Sequence, residues 1–457
     1  MASPPLESPS LRVGAQLELA IDDLDQEGRG LGRHDGAVVF VEGGLPGEWL
    51  RVRLVHRARR HWLAELVAVL TPSPERRRPP CILADRCGGC TLQALAPSAQ
   101  QQWKQQRVAT ALQRIGGLDA PVRPLLAAPD NLGYRNRAVI PLELREGRLR
   151  AGYYQRGSHR IVNLNHCPVL DPRLDGLIAP LKVDLEASDW PVDRHAGAPD
   201  GGLRHLALRV GSHSGEVLIT LIAAHGDLPG LEDLARFWLE RWPALVGVCL
   251  NLQPDPGNRL MGAHTRVVAG RGELREAFAG LELMVAADSF FQVHTRQAER
   301  VVPLLFEALE DVQGYLVDAY CGIGTFSLPL AAAGWRVLGL EQQGAAVALA
   351  RRNAAANGLS DTTCFEEAVV GEVLAERLPG SDALFVDPPR KGLEGPALAA
   401  IVAGGPPRLL YLSCDPATQA RDLALLVREG GYQLRWLQPI DFFPNTSHVE
   451  TLAVLHR

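Results

Sequence analysis

Between residues 12 and 70 the chain reads as short strands broken by glycine turns. QLELAIDDL, DQEGRGLGRHDG, AVVFVEG, LPGEWLRVRLV and WLAELVAVL follow one another with no helical period. Alternating strands with turn signals about every ten residues predict a small barrel. TPSPERRRPP at 71–80 reads as a linker by its proline and arginine content. A helical pattern appears in QQWKQQRVATALQRI at 101–115. Residues 133–285 mix strand-like stretches (YRNRAVIPLEL, HLALRVG, GEVLITLIA) with a helix near LEDLARFWLERW. From about residue 288 the pattern changes again. LVDAY, VLGLE, ALFVD and LLYLS read as buried strands, each followed by a polar or glycine-rich turn and mostly by a helical stretch. Strands alternating with helices are the signature of a doubly wound α/β sheet. The expected fold is therefore multidomain α/β: an OB-like β-barrel over 10–70, a central α+β domain over 71–285, and a Rossmann-like domain over 286–457. A helix near 97–125 is expected to pack on the last of these.

Composition narrows the setting. The chain has 457 residues, 46% hydrophobic and 22% charged, which is ordinary for a globular protein. No apolar run reaches the roughly 18 residues a membrane span needs, and MASPPLESPS has neither the basic start nor the apolar core of a leader. A cytoplasmic protein is expected, with no membrane partner. In that compartment cysteines serve metals or catalysis more often than disulfides. Net charge is −5, yet eight arginines fall between Arg51 and Arg78. Arginine suits bidentate phosphate recognition; charge alone leaves nucleic-acid contact and a solvated face both open.

The strand YLVD runs into AYCGIGTFSLPLAAAG, where Gly322 and Gly324 allow a tight turn before a helix. The third glycine of a dinucleotide fingerprint is absent. Glu341 ends the next strand, where a carboxylate accepts hydrogen bonds from both ribose hydroxyls of a nucleoside. The fourth strand ends in Asp387-Pro388-Pro389, a rigid turn at the ligand-binding edge of such a sheet. In this order the three features point to S-adenosylmethionine. Arg390 stands where amino-group methyltransferases carry an aromatic residue, which counts against that class.

Cys414 ends the following strand in RLLYLSCDPATQ. A thiolate adding to carbon 6 of uracil makes carbon 5 nucleophilic toward a methyl sulfonium. A general base must then remove the carbon-5 proton before the thiol can leave. Glu450, in HVET, is the candidate base. A buried thiol and a solvated edge charge are the plain alternatives.

SCDPATQARDL, VDPPRKG, DAYCGIGTFSLPLA and FPNTSHVETLAVL resemble the four signature motifs of the RNA uracil-5 methyltransferase family, and the resemblance covers essentially the whole chain. It implies Cys414 as nucleophile, Glu450 as base, and S-adenosylmethionine contacts from Gln292, Tyr320, Glu341 and Asp387. Thr325 stands where members often have asparagine, and Ala368 falls about where another asparagine contacts the cofactor.

Cys81-x5-Cys87-Gly-Gly-Cys90 is a tight trio, and His166-Cys167-Pro168 adds a distant fourth cysteine. Four thiolates can hold zinc or an iron–sulfur cluster, and three plus one followed by proline favours [4Fe-4S]. A branch of the family carries this pattern, and the resemblance implies a [4Fe-4S] cluster on Cys81, Cys87, Cys90 and Cys167 with a structural or RNA-positioning role. ELAIDDLDQEGRGLGRHDGAVVFVEGGLPGEWLRVRL resembles the TRAM domain, an OB-like RNA-binding barrel. Arg51, Arg53, Arg57, Arg59 and Trp62 then become candidate RNA contacts. Barrel, cysteine pattern and catalytic domain together resemble the branch acting on 23S ribosomal RNA, with the T-loop of transfer RNA as the alternative. A monomer is expected.

Overall fold

The alternating segment of residues 16–71 closes on itself. In the computed structural model, which describes residues 11–193, 201–257 and 259–457, β1 (Gln16–Leu24), β2 (Gly30–His34), β3 (Ala37–Glu42), β4 (Trp49–Arg57) and β5 (Trp62–Thr71) form a closed barrel in the order β1-β2-β3-β5-β4. The stretch MASPPLESPS lies outside the described residues. Closure follows from the pattern: inward positions Leu17, Leu19, Ile21, Leu50, Val52 and Leu54 alternate with polar ones and are at most 4% exposed. Gly32 faces Leu19 and the Ala20 carbonyl so closely that a Cβ there would sit 2.4 Å from both.

The chain divides into two compact units. The barrel belongs to one of them, which spans the described residues to Gln102 together with Tyr154–Ser158 and Pro444–Ser447. The other comprises Trp103–Tyr153, His159–Phe443 and His448–Arg457. The barrel is followed in the chain by α1 (Pro97–Ala111), extended by a π-helical turn to Gly116.

The second unit holds two large sheets. One is seven-stranded in the order β12-β11-β10-β9-β6-β7-β8, built from β6 (Arg137–Arg145), β7 (Arg148–Tyr154), β8 (Ile161–Asn163), β9 (Leu203–Val210), β10 (Val217–Ala223), β11 (Leu245–Leu252) and β12 (His264–Gly270). Helices α2 (Pro172–Ala187) and α3 (Leu231–Arg241) pack on it. A hairpin, β13 (Glu273–Phe278) and β14 (Leu281–Ala286), leads through α4 (Thr295–Glu299) and α5 (Val301–Leu309) to the other sheet.

That sheet is also seven-stranded: β17-β16-β15-β18-β19-β21-β20. Its parallel members are β15 (Tyr315–Ala319), β16 (Arg336–Glu341), β17 (Thr363–Glu367), β18 (Ala383–Val386) and β19 (Arg408–Ser413). β20 (Gln433–Ile440) and β21 (Glu450–His456) form an antiparallel pair, with β21 beside β19. Helices α6 (Ser327–Ala332), α7 (Gly344–Ala356), α8 (Val370–Arg377), α9 (Gly395–Gly404) and α10 (Pro416–Arg428) are the crossovers. Strand side chains alternate between two cores. Leu316, Leu410, Leu412 and Val454 enter one with Leu305 and Val347; Val317, Leu409, Tyr411 and Leu455 enter the other with Ile401 and Leu423. Burial on both faces explains why these strands read as continuous apolar runs. Val108 and Leu112, from the helix at 97–116, join the second core.

Candidate active site

The carboxyl ends of β16, β15, β18 and β19 lie side by side, because these strands are parallel neighbours in that order. Open α/β sheets bind ligands at this edge. Glu341 closes β16, Tyr320 follows β15, Asp387 follows β18 and Cys414 follows β19. Glu450 arrives from the opposite direction. β21 runs antiparallel to β19 with Ser413 paired to Thr451, and the same register carried one residue on sets Cys414 opposite Glu450. Gln419 holds this junction: its Nε2 donates to the carbonyls of Tyr411 (2.8 Å) and Thr451 (3.1 Å).

The glycine loop turns tightly at this edge. Tyr320 has φ +71°, a left-handed conformation that costs a non-glycine residue about 1–3 kcal/mol. Gly322 and Gly324 have φ of 57° and 84°. The Gly322 N–H donates to Glu341 Oε2 (3.2 Å) and the Gln343 N–H to Oε1 (2.8 Å). Each carboxylate oxygen keeps a further lone pair for a hydroxyl donor. Two buried polar atoms here have no hydrogen-bond partner in the structure, the Tyr320 hydroxyl and Asp318 Oδ1. Cys321 is buried under the loop, its Sγ 2.7 Å from where a Cβ on Gly339 would lie, so it packs rather than faces the edge.

Electrostatics tie the carboxylates and the thiol together. Burial pushes the Cys414 thiol up to about 11, assisted by Glu450, Asp387 and Asp415; the Arg390 guanidinium opposes them. Glu450 is 6% exposed, and burial followed by Asp387 raises its carboxyl well above the usual range. Burial pushes Asp387 up to about 7. Asp318 is pushed up to about 8 by burial, against a hydrogen bond from Ser327, with Asp387 and Glu341 adding to the rise. Gln292 is buried off the sheet edge, in the segment before α4. Its carbonyl accepts from Asn136 Nδ2 at 2.9 Å. Thr325 is buried, and the Ala368 N–H donates to the Glu341 carbonyl at 2.9 Å, so Ala368 meets Glu341 through its backbone.

Two further residues shape this edge, of which sequence reasoning missed Lys104. Asp415 is the N-cap of α10, its Oδ1 accepting from the N–H groups of Ala417 and Thr418, both at 2.9 Å. The tetrapeptide Asp-Pro-Ala-Thr carries that signal, since aspartate before proline marks a helix start. Lys104 on α1 is fully buried and donates to Asp441 Oδ1 (2.6 Å) and the Phe443 carbonyl (2.9 Å), anchoring the chain that leads to Glu450. Nothing in the local pattern pairs those two charges.

The barrel arginines divide by task. Arg51 pairs with Glu18, Arg53 with Glu65 and Arg76 with the buried Glu48, so part of the run supports the barrel itself. Trp62 corrects the expectation: it is 7% exposed in the barrel core with the Arg57 guanidinium 5.6 Å above its ring, and no face is left for a base. Cys81, Cys87 and Cys90 lie on a turn-rich loop of the N-terminal unit, and Cys167 lies in the second unit. The Leu83 N–H donates to Cys81 Sγ (3.4 Å) and the Gly89 N–H to Cys87 Sγ (3.5 Å). Among the described residues no group of three or more His, Cys, Asp or Glu side chains stands close enough to hold a metal ion.

Comparison with known proteins follows this geometry. Residues 280–457 match the tRNA (uracil-5-)-methyltransferase family, and residues 11–67 match the TRAM domain. A protein of Parasynechococcus marenigrum described as an uncharacterized RNA methyltransferase is 52% identical over 99% of this chain and 97% of its own. The chain belongs to the TRAM-containing RNA uracil-5 methyltransferase family. A similarly described relative from Listeria monocytogenes is 33% identical over 99% of this chain and 100% of its own. The crystal structure of the tRNA (uracil-54, C5)-methyltransferase of Pyrococcus abyssi, in complex with S-adenosyl-L-homocysteine, superposes with a TM-score of 0.77. It shares 27% identity and covers 96% of this chain and 99% of that one. The methyltransferase has no helix among its described residues long and apolar enough to cross a membrane.

Proposed function

We propose that this methyltransferase places a methyl group on carbon 5 of a specific uridine in 23S ribosomal RNA, using S-adenosylmethionine. The observation that carries the reading is the register that sets Cys414 opposite Glu450 at the ligand edge of the sheet. S-adenosylmethionine supplies an electrophilic methyl group when bound. Residues of the glycine loop suit it: Glu341 has lone pairs for ribose hydroxyls, and Tyr320 and Asp318 hold unpartnered buried polar atoms. Asp387 and Gln292 complete the expected contacts.

The uridine must be splayed from its stack so that the thiol reaches carbon 6 from the face of the ring. Cys414 Sγ forms a bond to carbon 6, and the ring's 5,6 π electrons move to the carbon-4 carbonyl as an enolate; its carbon 5 would take the methyl that a bound S-adenosylmethionine supplies, the methyl–sulfur bond breaking to leave a neutral thioether. Glu450 then takes the carbon-5 proton. Those C–H electrons restore the 5,6 double bond as the carbon–sulfur bond breaks, and the thiolate leaves. Glu450 is buried and has its proton affinity raised, which makes its ionised form a stronger base toward the carbon-5 proton.

Ribosomal RNA is favoured by the combination of barrel, cysteine loop and catalytic domain. The T-loop of transfer RNA is the alternative, supported by the likeness to the Pyrococcus abyssi enzyme. Unmethylated ribosomal and transfer RNA incubated separately with labelled methyl donor should show 5-methyluridine in the ribosomal RNA alone; label in the transfer RNA would move the assignment. Cys414→Ala should abolish transfer while donor binding survives, and retained turnover would overturn the nucleophile.

A [4Fe-4S] cluster on Cys81, Cys87, Cys90 and Cys167 is part of the proposal, within a three-part chain of barrel (10–70), central domain (71–285) and catalytic domain (286–457) acting as a cytoplasmic monomer. It is supported by the cysteine spacing and by the N–H groups aimed at two of the sulfurs. No step of the methyl transfer passes through it. Anaerobically purified protein should be brown with about four irons per chain; colourless protein with one zinc would refute it.

A further inference from the structure

The loop Asp387–Leu393 has no regular structure, yet it carries both Asp387 and the exposed Arg390. Its hold comes from one face of α10, the helix that begins two residues after Cys414. Asp422 is 0% exposed. Its Oδ2 accepts from the Leu393 N–H (2.9 Å) and the Tyr411 hydroxyl (2.8 Å), and its Oδ1 accepts from Arg421 Nε (2.9 Å) and Nη2 (2.8 Å). Arg421 Nη2 also donates to the Lys391 carbonyl (3.0 Å), and the Thr418 hydroxyl to the Arg390 carbonyl (3.3 Å). Thr418, Arg421 and Asp422 are spaced i, i+3, i+4, so a single helix face meets four consecutive residues of the loop. Gly392 makes the approach possible. Its φ is +80°, and a Cβ there would lie 2.5 Å from Asp422 Oδ2 and 2.9 Å from Arg421 Nη2.

We propose that α10 is a clamp, with Asp422 at its centre, that fixes the Asp387–Leu393 loop relative to the thiol and so holds the Arg390 guanidinium where it stabilises the Cys414 thiolate. Cys414 directly precedes Asp415, the N-cap of the clamping helix, so displacing the helix displaces the thiol. Charge argues for the role of Arg390. Beside burial, the largest cause, Glu450, Asp387 and Asp415 hold the thiol protonated and Arg390 opposes them. Geometry agrees: the Arg390 carbonyl accepts from the Thr418 hydroxyl, and the Thr418 N–H donates to Asp415, the residue after Cys414. Three carboxylates close to a nucleophilic thiol would suppress its ionisation; a cation held against them restores part of it. Asp422 and Arg421 act through Arg390 and are positioning residues.

The inference rests on Cys414 as the nucleophile, and its test does not use turnover. Iodoacetamide alkylation of Cys414 is followed by peptide mass spectrometry on the full chain without RNA, between about pH 6 and 10, where the rate tracks the thiolate fraction. The exposed Cys364 on β17 serves as internal reference. Arg390→Met should move the Cys414 midpoint upward and slow alkylation about threefold or more at about pH 8, and Arg390→Lys should recover most of the loss. Asp422→Asn should reproduce the shift with Cys364 unchanged. Thr418→Val, which removes only the hydroxyl, should shift the midpoint the same way by less, and it decides the matter where Asp422→Asn does not fold. An unchanged midpoint in Arg390→Met overturns the role of Arg390. A shift in Arg390→Met with native midpoints in Asp422→Asn and Thr418→Val overturns the clamp. Turnover by Cys414→Ala would instead strike the nucleophile assignment, leaving the alkylation profiles to stand separately.

Discussion

Glu450→Gln keeps the size of the side chain and removes its capacity to take a proton. A positioned general base accelerates proton transfer about 10²–10⁴-fold, which is about 3–5 kcal/mol of barrier. At 6% exposure Glu450 leaves little room for bulk water to substitute, so the upper part of that range applies. Thiol addition and methyl transfer precede the proton step and should survive. The enzyme should therefore stall after methyl transfer with Cys414 still bonded to carbon 6. The assay is a denaturing gel of end-labelled RNA incubated with variant and methyl donor, expected to show a slow-migrating band approaching one RNA per chain.

Stability supplies the control. The folded Glu450 carboxyl has a proton affinity above its unfolded value. Its stabilising contribution is full below the unfolded carboxyl's pKa of about 4.3 and is lost as pH rises through the folded value. The cost to folding grows as pH rises above the unfolded value, so at about pH 8 glutamine should leave the thermal midpoint equal or higher. A lost product signal then cannot be blamed on unfolding. Turnover within about tenfold of the native rate would refute Glu450 as the base. So would the absence of a band while Cys414→Ala remains inactive.

The thiol, pushed up to about 11, makes activity pH-dependent. Single-turnover rates at saturating RNA should climb about tenfold per pH unit between about pH 7 and 9, and a flat profile would mean the thiolate is formed some other way. Lys104→Met leaves the Asp441 carboxylate buried without its cation and should cost about 3–5 kcal/mol in urea unfolding. Burial outweighs the partner in setting the lysine's proton affinity below normal, so Lys104→Met with Asp441→Leu should recover most of that loss.

Strand and helix types were legible wherever burial imposes a period: two in the barrel, continuous apolar runs in the parallel strands of the catalytic sheet. The glycine loop, Glu341, Asp387 and Cys414 were legible because each sits where a buried strand stops and the chain must turn, a boundary written in local sequence. The Arg51–Arg78 run was only half legible. Charge marks arginine as basic, and only the fold shows that Arg51, Arg53 and Arg76 are paired with acids. Trp62 misled because an aromatic beside arginines reads alike whether it faces RNA or the barrel core.

Chemistry that depends on one residue next to a motif-mate was thus open to reading, and chemistry that depends on distant neighbours was not. From sequence Glu450 was a carboxylate entering a terminal strand; the antiparallel placing of β21 beside β19 sets it across from the thiol. Asp422 and Lys104 carry no local mark, because their partners come from other strands, helices and loops. Periodicity records which side of an element is buried, whereas strand order and register decide which charges meet once it is. The residue types of the site were determined by the sequence. Their protonation, and their reach toward one another, were decided by the tertiary structure, because burial and the nearest charges set both.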